Sequence, residues 1–283
     1  MSNLRLGLPS KGRLAEQAAE LLSQAGLDFR RQERSLFARV RDMPIDIIFL
    51  RTDDIPVLCA EGAIDMGITG SDLVEEAGVQ LIERLRLGVG QCRLALCVPE
   101  QAELQSAAQL DGLRVATSFP RLTDRFLTAK GARVRVVNLG GSVEIAISLG
   151  IAEAIVDLVQ TGSTLAANQL RVLAEIGTYE TVVLQNPERR CAEVADRIVR
   201  RLEGIVIARD WALLEYNIPR TKLAEAEKIT PGFNSPTVNA LEDSQWCAVQ
   251  VMVRRREIID VMDRLETLGA RAILQTQIAN CRL

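Results

Sequence analysis

The 283-residue chain contains no histidine. That absence removes imidazole general-base catalysis, Ser-His-Asp and Cys-His nucleophile schemes, and imidazole metal sites. Any chemistry must rest on carboxylates, lysine, arginine, hydroxyls and backbone N–H groups. A hard cation held largely by substrate oxygens can join them. Reactions governed by charge stabilisation suit that set. Aromatic residues are sparse at 4%, while hydrophobic residues reach 48%, which fits an aliphatic α/β core. The six cysteines (Cys59, Cys92, Cys97, Cys191, Cys247 and Cys281) include no Cys-x-x-Cys pair. They read as reduced core residues rather than a disulfide or zinc framework. No apolar stretch is long enough to span a membrane. Met1–Gly7 leads into a strand-like run without a signal-peptide core, so a cytoplasmic location is expected. A formal net charge of -3 gives no sign of a nucleic-acid binder.

The length suggests two or three domains at ~100–200 residues each. Strand and helix patterns alternate. Leu4–Pro9 reads as a strand, then a basic turn Ser10-Lys11-Gly12-Arg13, then a helix with Leu14, Ala18, Leu21, Leu22 and Ala25 on one face. The turn is either an anion site or an ordinary turn with solvated basic side chains. Ile45–Arg51 is a strand, after which Thr52 or Asp53 can cap the next helix. Three glycines surround the short strand near Met66–Ile68; Gly67 and Gly70 permit close backbone approach, and Asp72 either caps a helix or faces a ligand. A second unit starts at Cys92–Val98 and continues through strands Leu113–Thr117, Val134–Asn138 and Ala154–Val159. Tyr179–Gln185 reads as one returning strand, Ala192–Leu202 as a helix and Gly204–Arg209 as an apolar stretch. From Trp211 a separate βαββαβ-like module follows, whose second helix carries Ile258, Val261, Met262, Leu265 and Leu268. A parallel or mixed sheet with ligands at strand C-termini is expected.

The most informative run is Ile155-Val156-Asp157-Leu158-Val159-Gln160-Thr161-Gly162-Ser163-Thr164-Leu165. A strand ending near Asp157 would feed a tight hydroxyl-rich loop, then a helix formed by Leu165, Ala166, Ala167 and Leu170. Clustered hydroxyls and backbone N–H groups bind phosphate, and the adjacent acid can accept hydrogen bonds from sugar hydroxyls. The same residues also fit a strand, a turn and an N-capped helix with no ligand.

Five ordered motifs carry a resemblance: Leu8–Leu14, Glu61–Gly70, Ala116–Pro120, Gly141–Glu144 and Asp157–Leu170. Over essentially its whole length the chain resembles the long form of ATP phosphoribosyltransferase, the first enzyme of histidine biosynthesis. The resemblance implies an α/β fold with a two-lobed, type II periplasmic-binding-protein-like catalytic core and a C-terminal ferredoxin-like regulatory domain. Lobe I would take residues 1–93 and 178–208, lobe II 94–177 with the loop for phosphoribosyl pyrophosphate (PRPP), and the histidine-binding domain 209–283.

It further implies transfer of the 5-phosphoribosyl group from PRPP to N1 of ATP, with Mg²⁺ held mainly by substrate phosphates, feedback inhibition by L-histidine, and active dimers alongside inhibited hexamers. Carried over residue by residue, Asp157 would contact ribose hydroxyls, and Thr161, Gly162, Ser163 and Thr164 the 5-phosphate. Lys11, Gly12, Arg13 and Arg51 would lie near pyrophosphate or ATP phosphates, with Lys11, Arg51 and Asp157 carrying catalysis; Asp72 and Glu144 would be nucleotide contacts. Asn217, Phe233, Ser235, Thr237 and Ala272 would form the histidine site. Val156 stands where other phosphoribosyltransferases have a first acid, which points to the same physics on a different fold. The competing expectations are a non-catalytic small-molecule-binding module and a regulatory paralogue of the same fold.

Overall fold

The computed structural model describes residues 3–32, 35–160, 162–188 and 190–282, and for Ser163 the backbone alone. The chain forms two compact units: Met1–Glu20 with Asp28–Val199, and Leu21–Leu27 with Arg200–Leu283.

Two sheets make up the first unit. One contains β1 (Leu4–Pro9), β2 (Phe37–Arg39), β3 (Ile45–Leu50), β4 (Met66–Gly70), β5 (Ile82–Arg86) and, returning much later, β11 (Thr181–Gln185). Their order is β2-β3-β1-β4-β11-β5, with β1 parallel to β3 and β4, and β11 antiparallel between β4 and β5. Helices α1 (Arg13–Gln24), α2 (Asp54–Ala60) and α3 (Ser71–Ala77) connect them. Leu4, Leu6 and Leu8 of the central strand are buried. Gly67 is needed where α2 crosses β4, since a Cβ there would come within 2.4 Å of Ile55 Cγ2.

The second sheet, ordered β10-β6-β9-β7-β8, uses β6 (Cys92–Pro99), β7 (Arg114–Thr117), β8 (Arg135–Asn138), β9 (Ala154–Val159) and β10 (Leu170–Tyr179). Helices α4 (Pro120–Ala129), α5 (Ile145–Ser148) and α6 (Ser163–Ala167) pack around it. The period-2 geometry of β6 sends Leu94, Leu96 and Val98 into one core and Ala95 and Cys97 into another, so the strand is apolar throughout. Leu96→Ala is expected to cost about 2–5 kcal/mol in a urea titration, because the fully buried site leaves a cavity.

The second unit carries β12 (Trp211–Pro219), α8 (Leu223–Ile229), β13 (Thr237–Ala240), β14 (Trp246–Arg254), α9 (Ile258–Leu268) and β15 (Arg271–Gln277). The antiparallel order β13-β14-β12-β15 makes this βαββαβ module ferredoxin-like. Ala212, Leu214, Tyr216 and Ile218 alternate inward along β12 to meet Ile258, Val261 and Leu265 of α9, with Met262 and Leu268 only partly buried. The buried Tyr216 hydroxyl is satisfied by Thr230 Oγ1 at 2.7 Å. No helix among the described residues is long and apolar enough to cross a membrane.

Several sequence expectations need correction. Tyr179 and Thr181 belong to different sheets: Tyr179 pairs with Cys92 and Thr181 with Gly70, so Glu180 is a crossing between the two sheets. Leu170 does not extend the helix after Gly162. It is buried opposite Pro99 at the start of β10, after Gln169 turns the chain at φ +52°. The helix expected over Ala192–Leu202 continues through the apolar stretch Gly204–Arg209, because α7 spans Ala192–Asp210. A Cβ at Gly204 would meet Cys281 O and Asn280 Oδ1 at 2.4 Å, so the glycine admits the C-terminal segment against the helix. Cys59, Cys97 and Cys247 are buried, but Cys92, Cys191 and Cys281 are only partly so.

Candidate active site

Asp157 lies on β9 opposite Ala95 of β6, two residues before the strand ends. Its Oδ1 accepts the Leu158 N–H at 2.8 Å. Burial pushes the Asp157 carboxyl above the usual carboxylate range; the Leu158 N–H opposes the shift and nearby Glu144 adds to it. The loop beyond turns at Gly162, whose φ of +78° is left-handed and easiest for glycine. Gly162 is also the N-cap of α6, so the residue at that capping position offers no side chain. Glu144, Asp157, Gln160, Gly162 and Thr164 line a cavity of about 290 Å³. Thr161 and the Ser163 side chain, both assigned to the phosphate from sequence, lie outside the described residues.

The basic turn after β1 reaches this loop. Arg13 Nη1 donates to Gln160 Oε1 at 3.1 Å, although the residues are 147 positions apart. Lys11, Gly12 and Arg13 are all exposed. Arg13 is the first residue of α1, where the positive end of the helix dipole disfavours a cation. Helix stability therefore does not explain its placement; an anion beside it would.

A second cleft, of about 510 Å³, lies between the two sheets of this unit. Arg51, Thr52, Asp53, Leu73 and Glu76 form one wall, with Ser118–Pro120 and Asn138–Gly140 on the other. Arg51 lies 3.4 Å from Asp53 in an exposed ion pair, which is worth at most about 1 kcal/mol and yields readily to an anion. Arg51 and Asp157 line different cavities. Asp72 sits in the first turn of α3 with a carboxyl pushed up by burial, while its neighbours Leu73 and Glu76 line the cleft. Gln160 and Glu76 carried no role in the sequence reading. Gln160 stands inside the motif but is neutral, and Glu75-Glu76 resembles an ordinary solvated helix face.

The five histidine-site candidates lie on β12, β13, β15 and the loop before β13 in the second unit. Phe233 packs edge-on against Trp211, with ring centroids 5.6 Å apart, at the first residue of β12. Asn217 lies six residues farther along that strand, opposite Ala248 and Arg271. Thr237 pairs with Gln250, and exposed Ala272 takes a left-handed φ of +50° at the irregular start of β15. Ser235 lies in the loop between Phe233 and β13, where its carbonyl approaches Gly232. Sequence reasoning passed over Trp211 and Arg254, whose guanidinium stacks over the Trp211 ring at 4.3 Å.

Among the described residues no three acidic or cysteine side chains cluster in a way that could hold a metal ion. The pair Glu144 and Asp157 offers at most two carboxylates to one cavity. That donor set fits a hard divalent cation only if substrate oxygens complete its shell.

Residues 51–204 match the family model described as ATP phosphoribosyltransferase, and residues 208–280 match the HisG C-terminal domain. An ATP phosphoribosyltransferase of Rhodopirellula baltica is 66% identical over 282 residues, covering 100% of this chain and 94% of that protein. One from Saccharopolyspora erythraea is 42% identical, covering 99% of this chain and all of its own length. A solved ATP phosphoribosyl transferase (HisG:HisZ) complex from Thermotoga maritima contains a chain 32% identical to this one. The TM-score is 0.65, over 72% of this chain and 98% of that one. With two matching domain models and full-length relatives, the chain belongs to the ATP phosphoribosyltransferase family, in the long form that carries the HisG C-terminal domain.

Proposed function

We propose that the chain transfers the 5-phosphoribosyl group of PRPP to N1 of ATP, giving phosphoribosyl-ATP and pyrophosphate in the first step of L-histidine biosynthesis. The Arg13–Gln160 hydrogen bond carries the site assignment, because it joins the basic turn to the loop that follows Asp157. Lobe I takes residues 1–91 and 180–208, lobe II 92–179, and the regulatory domain 209–283, with the lobe boundaries at the crossings 87–91 and Glu180 rather than at 93 and 177. Asp157 holds ribose hydroxyls, and the 161–164 loop takes the 5-phosphate through backbone N–H groups and hydroxyls. Lys11, Gly12, Arg13 and Arg51 face the pyrophosphate and the ATP phosphates. Glu144 and Asp72 contact the nucleotide.

Attack by N1 inverts C1. Positive charge spreads over the ribose ring while negative charge gathers on the departing pyrophosphate. The residues contribute by holding both substrates in line and by placing fixed positive charge where the leaving group develops it. No covalent nucleophile is needed, in keeping with a chain that has no histidine. Mg²⁺, held mainly by the substrates' phosphates, would supply further neutralisation of that charge.

L-histidine inhibits from the C-terminal domain through Asn217, Phe233, Ser235, Thr237 and Ala272, and the chain works as a dimer that histidine converts to a hexamer. Asn217→Ala and Thr237→Ala are each expected to raise the histidine concentration for half-inhibition by roughly tenfold, the loss of about one strong hydrogen bond, with the uninhibited rate unchanged. Rate assays over a histidine series measure this; unchanged inhibition in both variants would remove these residues from the site. The reaction itself is tested by incubating the chain with ATP, PRPP and Mg²⁺, with and without histidine, and following product absorbance. Turnover that needs both substrates is expected. Well-folded protein without turnover would favour a binding module or regulatory paralogue.

A further inference from the structure

The two sheets of the first unit are joined by two chain crossings, residues 87–91 and Glu180. Side chains add further connections: besides Arg13–Gln160, one set joins α3 to α4. Helix α4 starts on the second sheet with Pro120, and its N-cap Phe119 supplies no side-chain hydrogen bond. Its open N–H groups are instead met from the other lobe: Glu76 of α3 accepts Arg121 N–H at Oε1 (2.9 Å) and Leu122 N–H at Oε2 (3.0 Å). A carboxylate is well placed there, combining a cap with a negative charge at the positive end of a ten-residue helix. Beside it, Arg125 of α4 is bonded to Glu75 of α3, and burial together with Glu75 pushes up the Tyr179 phenol at the end of β10. Glu76 also forms part of the cleft wall opposite Ser118–Pro120.

We propose that Glu76 is a positioning residue for the transfer reaction: by capping α4 from the opposite lobe it sets the width of the cleft that holds the two substrates. This rests on the phosphoribosyl-transfer reading above. Substrates that bridge the lobes favour the clamped arrangement. When the clamp is lost, part of their binding energy goes into restoring it, and apparent affinity falls by the fraction of molecules still clamped. At saturation the clamped complex re-forms, so the split between KM and kcat separates this role from a purely structural one.

Wild-type turnover with ATP, PRPP and Mg²⁺ is measured first; its absence overturns the transferase reading, whatever Glu76 does. In active protein, Glu76→Ala is expected to raise KM for both substrates by roughly tenfold, with kcat within about twofold. Glu76→Gln, which keeps the length and one acceptor but loses the charge, should fall between the two. A pair of spin labels, one at exposed Gln105 on the second lobe and one at exposed Arg39 on the first, reports the distance between lobes without reference to activity. It should broaden in the ligand-free Glu76→Ala chain and narrow again with substrates. Unchanged KM values, a fall in kcat alone, or an unaltered distance distribution in the folded Gln variant would overturn the proposal.

Discussion

Asp157→Asn is expected to lower kcat/KM for PRPP by about 10²–10³-fold, on the scale seen when one charged or hydrogen-bonding contact to a transition state is removed. The amide keeps the shape of the side chain and one acceptor but loses the charge proposed to face the ribose. The same substitution should not weaken the fold. Burial raises the Asp157 carboxyl above its ordinary range. A group raised in the folded state contributes stability that is fully present below its unfolded value and lost as pH rises through the folded one. Above the ordinary carboxylate range the half-buried wild-type carboxyl therefore carries a desolvation cost, only partly offset by the Leu158 N–H, that asparagine does not. The variant should melt no lower than wild type at pH 7, and any advantage should shrink as pH falls into the ordinary carboxylate range. Steady-state kinetics and a pair of melting curves read both. Full activity, or low activity with a collapsed melting temperature, would contradict the assigned role.

The second large effect is expected at the basic turn. Lys11→Met and Arg13→Gln should each reduce kcat by about 10²–10³-fold, because positive charge beside the departing pyrophosphate matters most when the C1–oxygen bond breaks. Substrate binding should weaken less than turnover. Stability offers an internal control of opposite sign. Arg13 sits at the N-terminus of α1, where a cation costs roughly 0.3–1 kcal/mol. Arg13→Gln should leave the fold as stable as before or slightly more so, while removing the donor to Gln160 Oε1. A loss of activity that tracks a loss of stability would assign Arg13 to structure instead.

The parts of the fold that were legible in the sequence are those with strong periodicity or punctuation. β1, β3 and β9 read as largely apolar runs because most of their residues are buried or half-buried, and the βαββαβ order of the C-terminal module follows from its alternation of strand and helix patterns. Several edge and crossing elements were not legible, although the edge strands β8 and β15 were. β5, with its sequence IERLR, is a partly exposed edge strand next to β11, so charged residues mask it. β10 was hidden because two register shifts spoil its alternation against β6. The break at Glu180 leaves no composition signal, since both flanking segments are good strands and only their partners differ.

The candidate site divides the same way. Charged and glycine positions drew notice from sequence: Lys11, Arg13, Asp157, Glu144 and Gly162. Pairings between distant segments did not. Gln160 gains meaning only when β9 brings it to Arg13, and Glu76 only when α3 meets the start of α4. Spacing along the chain likewise gave no hint that Arg51 and Asp157 line separate cavities.

The central claim is that the loop after Asp157 holds the 5-phosphate of PRPP. A crystal structure of the chain with PRPP and Mg²⁺ tests it most directly. The 5-phosphate is expected within hydrogen-bonding distance of the backbone N–H groups at 162–164, with ribose hydroxyls on Asp157. A 5-phosphate seated between Arg51 and Ser118–Pro120, with the 157–164 cavity vacant, would contradict it.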